Sequence, residues 1–199
     1  YKGVTWYRLK RRIFATGTMA GIALLLMAPV SMAERLGLGR EVSTQEIQVW
    51  DIDVRPDGVG LPAGAGTVAQ GEVLYLQQCS SCHGDKGVGG VNEALVGRLP
   101  GDAFPFGRDP QIQKTIGNYW PYATTVFDYI RRAMPYPQPG SLSDNEVYGL
   151  VAYLLYLNGI VDENTQLDAH NLAAIRMPSR HRFIVDDRIP IDYRHPEGG

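Results

Sequence analysis

Residues 75–87 read YLQQCSSCHGDKG, and Cys79, Cys82 and His83 within them decide how the rest of the chain is read. The chain has 199 residues, and these are its 2 cysteines. Three chemistries compete for two thiols with an imidazole beside them. A redox dithiol uses the C-x-x-C alone and gives the histidine no task. A structural zinc site wants four nitrogen or sulfur ligands, and no second cysteine pair exists to complete one. Covalent attachment of a c-type haem uses the whole set: each thiol adds to one vinyl group, and the next residue's imidazole reaches the iron. The spacing points to one covalent haem c, with a disulfide or a structural pair as the alternative. Such attachment takes place outside the cytoplasm, so export is the companion signal.

That signal lies in the first forty residues. Lys2, Arg8, Lys10, Arg11 and Arg12 form a basic block, and residues 13–32, IFATGTMAGIALLLMAPVSM, carry no charge. A run of about twenty apolar residues is long enough to cross a bilayer as a helix. The basic block should stay cytoplasmic and put everything after Glu34 on the far side. We read residues 1–33 as a cytoplasmic stub and a single transmembrane anchor, with cleavage near Ser31 and Ala33 as the alternative. The expected location is the bacterial inner membrane, with the haem domain in the periplasm. All 21 acidic residues lie at or beyond Glu34. The exported part is therefore acidic, which excludes nucleic acid as a partner and suits steering toward a basic docking face.

Residues 34–66 read as a lead-in. Ser43 with Glu46 has the form of a capping box for a short helix to about Trp50, and RPDGVGLPAGAG holds turn signals. Residues 67–158 form the haem domain, expected to be all-α. Thr67 caps a helix to about Gln78. Gly71 within it costs about 1 kcal/mol relative to Ala, which a close crossing with a later helix would explain. That helix is SDNEVYGLVAYLLYLN, residues 143–158, opened by Ser143 and Glu146 and striped by Val147, Leu150, Val151, Leu154 and Leu155. Tyr148 or Tyr153 is expected to lay its ring over Gly71. A further helix spans about residues 123–132.

The second axial ligand is sought among Met134, Met177, His170, His181 and His195. Met134 stands in RRAMPYPQPGSLSD, where Pro135, Pro137 and Pro139 stiffen the loop. A thioether on a rigid loop suits a closed electron-transfer site. Met134 is the expected ligand and Met177, in IRMPSR, the alternative; the three histidines read as solvated surface residues. Tyr119 and Trp120, with Tyr122, pair an apolar body with a polar tip. They and the cations Arg98, Arg131 and Arg132 are candidate propionate contacts. A packed aromatic cluster and a helix C-terminus favouring cations are the plainer readings.

The order GEVLYLQQCSSCHG, RRAMP and LSDNEVYGLVAYLLYLN resembles a class I cytochrome c. That resemblance implies a small helical domain around one haem, with Cys79 and Cys82 attached and His83 and Met134 axial. A longer likeness, through WDIDVRPDGVGLPAGAGTVAQGE, IGNYWPYATTVFDYIRRAMPYPQPGSLSDNEVYGLVAYLLYLNGIVDE and IRMPSR, is to the cytochrome subunits of bacterial sulfite or sulfane dehydrogenases. It implies a molybdenum-containing dehydrogenase as electron donor; many members are soluble, and the anchor read above points to redox partners in a membrane complex, whose electron donor need not be a molybdenum enzyme. Two departures stand out. Many members carry a second haem domain, while this chain has one C-x-x-C-H. Many class I domains also place a proline shortly after the haem motif, whose carbonyl supports the histidine, and GDKGVGGVNEALVG has none.

Residues 159–199 form a C-terminal extension. Asp168 is expected to cap a short helix through Ile175, and Phe183, Ile184, Val185, Ile189 and Ile191 favour a wrap or a docking arm. The expected function is single-electron transfer with no substrate at the iron. A haem enzyme such as a peroxidase would need an open sixth position and a nearby acid–base group, and the stretch around Met134 offers no histidine or carboxylate for it.

Overall fold

The computed structural model describes residues 38–101 and 103–184. The basic block, the 13–32 segment, its candidate cleavage site, His195 and the last apolar residues of the extension lie outside them. Among the described residues no helix is long and apolar enough to cross a membrane. The chain divides into two units at Ile47 and Gln48. Near that boundary runs α1 (Thr44–Trp50). Ser43 opens it as expected: its backbone N–H donates to Glu46 at 3.0 Å and its hydroxyl accepts from the Glu46 N–H at 3.3 Å. Arg40 pairs with the same carboxylate, and this pairing, with the Ser43 donors, holds Glu46 down to about 2.

The second unit is built on two crossing helices, α2 (Val68–Gln78) and α5 (Asp144–Leu157). Thr67 and Gln70 form a capping box at the start of α2, and Ser143 and Glu146 form one at the start of α5. Each box satisfies amide groups that the first helical turn leaves without partners. Between these helices come α3 (Ser80–His83), continuing almost directly from α2, and α4 (Ala123–Ala133). Every residue of α5 from Val147 to Leu155 is buried, the pattern of a helix wrapped by the core on all sides.

The Gly71 crossing is real, but its partner is another glycine. A Cβ on Gly71 would overlap the Gly149 carbonyl and come within 2.8 Å of the Tyr153 Cβ. Tyr148 packs elsewhere, 4.5 Å from the Phe127 ring, with its hydroxyl donating to the Pro62 carbonyl at 2.9 Å. The all-helical expectation is corrected in one detail. A short antiparallel ribbon pairs β1 (Ala65–Thr67) with β2 (Gln166–Asp168). It lies against α5 so closely that a Cβ on Gly66 would strike the Asn145 carbonyl at 2.6 Å.

Both flanks of the helical core are part of the packing. Val54 is buried, and its N–H donates to Asp128 at 2.8 Å. After β2, Leu172 and Met177 enter the same core as Leu167. Asp168 does not cap a helix through Ile175. Its carboxylate accepts from the His170 and Asn171 N–H groups in a local turn, and only a single 3₁₀ turn, Leu172–Ala174, follows. Further on, the Ser179 hydroxyl donates to the Asn118 carbonyl at 2.7 Å. Arg180 lies 4.3 Å over the Tyr122 ring, and Phe183 joins Phe104 and Tyr119. As far as Phe183 the extension wraps its own domain, whereas Ile184 is exposed.

Candidate functional site

Cys79 ends α2, its N–H donating to the Tyr75 carbonyl at 2.9 Å, and α3 begins at once. The Cys82 and His83 amides both return to the Cys79 carbonyl, at 3.1 and 3.0 Å. The two thiols therefore stand three residues apart on one helical turn, on a shared face. Both are free and half-buried. Burial, reinforced by the neighbouring Cys82, pushes the Cys79 thiol up to about 11. A reactive redox cysteine is held below the ordinary thiol value instead, so the shift at Cys79 gives the dithiol reading no support. No group of three or more His, Cys, Asp or Glu able to hold a metal ion occurs among the described residues.

The loop after His83 folds back and fastens the motif. Gly84 adopts φ 77°, a conformation open to glycine. The His83 carbonyl accepts from Gly89 at 2.8 Å, the Cys82 carbonyl from Asn92 at 2.9 Å, and the Gly84 carbonyl from the Tyr75 hydroxyl at 2.9 Å. Beneath the motif Tyr75 is fully buried, 5.5 Å from Tyr153, and burial pushes its phenol up to about 12.

His83 Nδ1 lies 2.7 Å from the Glu93 carbonyl oxygen. A carbonyl only accepts, so Nδ1 carries the proton, and in the neutral imidazole Nε2 then keeps the lone pair. A second partner that fixes the tautomer is the usual support for a metal-binding imidazole. The support that the sequence lacks in proline form is thus supplied by Glu93. Two thioether-forming thiols and an oriented imidazole with its other nitrogen unprotonated are the donor set that haem c needs.

Met134 is the C-cap of α4, its N–H donating to the Ile130 carbonyl at 3.1 Å. Met134, Trp120 and Cys79 all border the same hydrophobic cluster. Met177 is an interior member of that cluster, 3% exposed. His170 and His181 are exposed. Trp120 packs edge-on to Tyr129 at 5.8 Å. Tyr119 stacks on Phe104 and meets Phe106 and Phe183 edge-on, with the Lys114 ammonium 4.7 Å over its ring.

The three arginines read as candidate propionate contacts each also bond within the protein. Arg131 donates to Asp144 and to the Ile52 carbonyl, both at 3.0 Å. Arg132 pairs with Asp128 one turn back, and Arg98 donates to the Asn158 carbonyl at 3.2 Å. The sequence reading also passes over Asn158, 3% exposed. Its side chain accepts from Gly97 at 3.1 Å and donates to the Leu154 carbonyl at 2.8 Å, tying the loop after the motif to the end of α5.

Comparison with known proteins bears on the same region. The family described as "Cytochrome C oxidase, cbb3-type, subunit III" matches residues 66–154. A thiosulfate dehydrogenase of Stutzerimonas stutzeri (strain A1501) is 33% identical over 95 residues, 47% of this chain and 28% of the relative. One from Psychrobacter arcticus is 30% identical over 122 residues, 59% of this chain and 36% of the relative. The aligned stretches thus span about a third of these curated relatives. A chain in the crystal structure of the sulfane dehydrogenase SoxCD from Paracoccus pantotrophus superposes with a TM-score of 0.66 at 41% identity. That alignment covers 80% of this chain and 76% of the other.

Proposed function

This chain belongs to the c-type cytochromes and binds haem c covalently, and from that premise we propose that it relays single electrons through one haem to or from a redox partner. Cys79 and Cys82 would hold the haem through thioether links, His83 would offer Nε2 to its iron, and Met134 would offer its thioether sulfur. Bound there, haem c supplies a one-electron couple. The observation that carries this reading is the His83–Glu93 contact, which fixes the imidazole in the tautomer that iron ligation needs. Trp120 and Tyr119 remain the aromatic contacts for the propionates.

The SoxCD likeness, 41% identical over most of both chains, favours a partner of the molybdenum dehydrogenase class. We place the domain on the periplasmic side of the inner membrane, held by residues 13–32. Alkaline carbonate extraction of bacterial membranes tests this; release of the full-length chain would refute it.

The ligand assignment is tested on protein made with haem-attachment machinery. The oxidised spectrum should show the sulfur-to-iron charge-transfer band. Met134→Ala should lose it and bind carbon monoxide when reduced, while Met177→Leu keeps it. The reverse pattern transfers the role to Met177. The relatives named thiosulfate dehydrogenase favour a second reading, in which this chain itself oxidises a sulfur oxyanion. Thiosulfate-dependent reduction of ferricyanide by the purified chain alone would establish it.

A further inference from the structure

We propose that Arg131 is a positioning residue for Met134: it clasps the two ends of the loop that carries the thioether and ties them to the lead-in. The proposal rests on the reading of Met134 as iron ligand. The loop runs from Met134 to Ser143, between the last residue of α4 and the first residue of α5. Arg131 lies in the last turn of α4, and Asp144 is the first residue of α5. Their ion pair, Nε to Oδ1 at 3.0 Å, therefore spans the base of the loop. The pair is only partly open to water, the side chains being 19% and 34% exposed. A second arm of the same guanidinium donates to the Ile52 carbonyl at 3.0 Å.

The neighbouring turn repeats the attachment. Asp128 accepts the Val54 N–H at 2.8 Å while paired with Arg132. Residues 52–54 are thus bound to α4 by two separate ties just before Met134. Within the loop, Gln138 N–H donates to Pro135 at 2.9 Å and Ser141 N–H to Gln138 at 3.3 Å, and Leu142 packs on the core. The local bonds stiffen the loop, and Leu142 seats its far end on the core. The guanidinium fixes its base, because its planar fork holds two acceptors in set directions. An open loop surrenders the sixth position to an outside ligand, so the clasp should set how readily that exchange occurs.

Imidazole titration of the oxidised holoprotein reads this directly, as loss of the sulfur-to-iron band. A ligand that binds only the open form has an apparent affinity proportional to the open fraction. Arg131→Met should retain the band and lower the half-saturating imidazole concentration about tenfold. Asp144→Asn, which removes the charge from one arm, should shift it the same way by less. Thr67→Ala removes the α2 cap and serves as a control that destabilises the fold away from the loop; its titration should match the parent. If Arg131→Met titrates like the parent, or Thr67→Ala shifts as far as Arg131→Met, the clasp is refuted. If Arg131→Met fails to take up haem, Asp144→Asn decides: a parental curve overturns the proposal. A parent that lacks the sulfur band before any imidazole is added refutes the Met134 reading instead.

Discussion

Replacing Gly71 by alanine tests whether the α2–α5 crossing holds the haem-bearing end of the fold. Two effects oppose each other. Alanine in a helix interior is favoured over glycine by about 1 kcal/mol. The new methyl, however, would overlap the Gly149 carbonyl and sit 2.8 Å from the Tyr153 Cβ. The first obstacle is backbone inside a helix buried on all sides, so no side chain can rotate away and α2 itself has to move. Overpacking of this kind costs about 3 kcal/mol, the upper part of its usual range. The net loss is then about 2 kcal/mol, or a fall in Tm of roughly 4–8 °C for a protein of this size. The assay is thermal unfolding of the holoprotein, followed by circular dichroism and by haem absorbance. Gly107→Ala is the control, since a Cβ there meets nothing within 4 Å, and its Tm should stay within a degree or two of the parent. A Gly71→Ala protein that melts at or above the parental temperature would refute the crossing and the placement of Cys79 built on it.

Other consequences are open to simple measurement. In haem-free protein with both cysteines present, the Cys79 thiol, pushed up to about 11 by burial and by the neighbouring Cys82, should alkylate about a hundredfold more slowly at pH 8 than an ordinary thiol, followed by peptide mass mapping; an ordinary rate at Cys79 would mean the site is open. Tyr75 and Tyr148 are both pushed up to about 12 by burial. Their contribution to stability is whole below the unfolded phenol value near 10 and is lost as pH rises toward 12, so ultraviolet titration should show these two phenols silent until the fold opens. Glu146 is held below its usual range by Ser143, so its contribution is whole above about pH 4.5 and falls on acidification. Ser143→Ala should cost about 1 kcal/mol at pH 7 in urea unfolding, and the deficit should shrink at pH 3. Truncation after Gly159 removes Leu167, Leu172 and Met177, each at most 3% exposed. At about 2 kcal/mol per buried side chain that approaches the whole stability of a typical domain, so the shortened chain should neither fold cooperatively nor take up haem.

What the sequence discloses is what nearest neighbours determine. Thr67, Ser143 and Glu146 announce helix starts because a cap and its amide lie three residues apart. Cys79, Cys82 and His83 announce their chemistry because one helical turn brings them together. The partners of Arg131 do not show in this way: they lie 13 and 79 positions away along the chain, and one is a backbone oxygen. Sequence reading sees a cation and names a propionate as its candidate anion; the Asp144 partner becomes visible only in the fold. The same holds for Gly71, where the position was suspicious but the partner, Gly149, carries no side chain to signal itself. The ribbon of β1 and β2 has three residues a side and joins segments a hundred positions apart, too short to leave a period in the sequence.

The support for His83 shows why a missing motif residue need not mean a missing function. Proline at that point in related domains matters for its carbonyl, and every residue has one. Here the oxygen comes from Glu93, and it is delivered by how the intervening loop is closed. Gly84 turns the chain, Gly89 bonds back to His83, Asn92 to Cys82, and Leu95 and Val96 to the Gly87 carbonyl. Three of these bonds are made by N–H groups of residues that carry ordinary side chains, so the glycines set the path and the amides lock it. A loop fastened at that many points presents its next carbonyl in one place. A Glu93→Ala protein should therefore keep the His83 tautomer, whereas Gly84→Ala, strained at φ 77° and blocked by the Gly89 carbonyl, should disturb it.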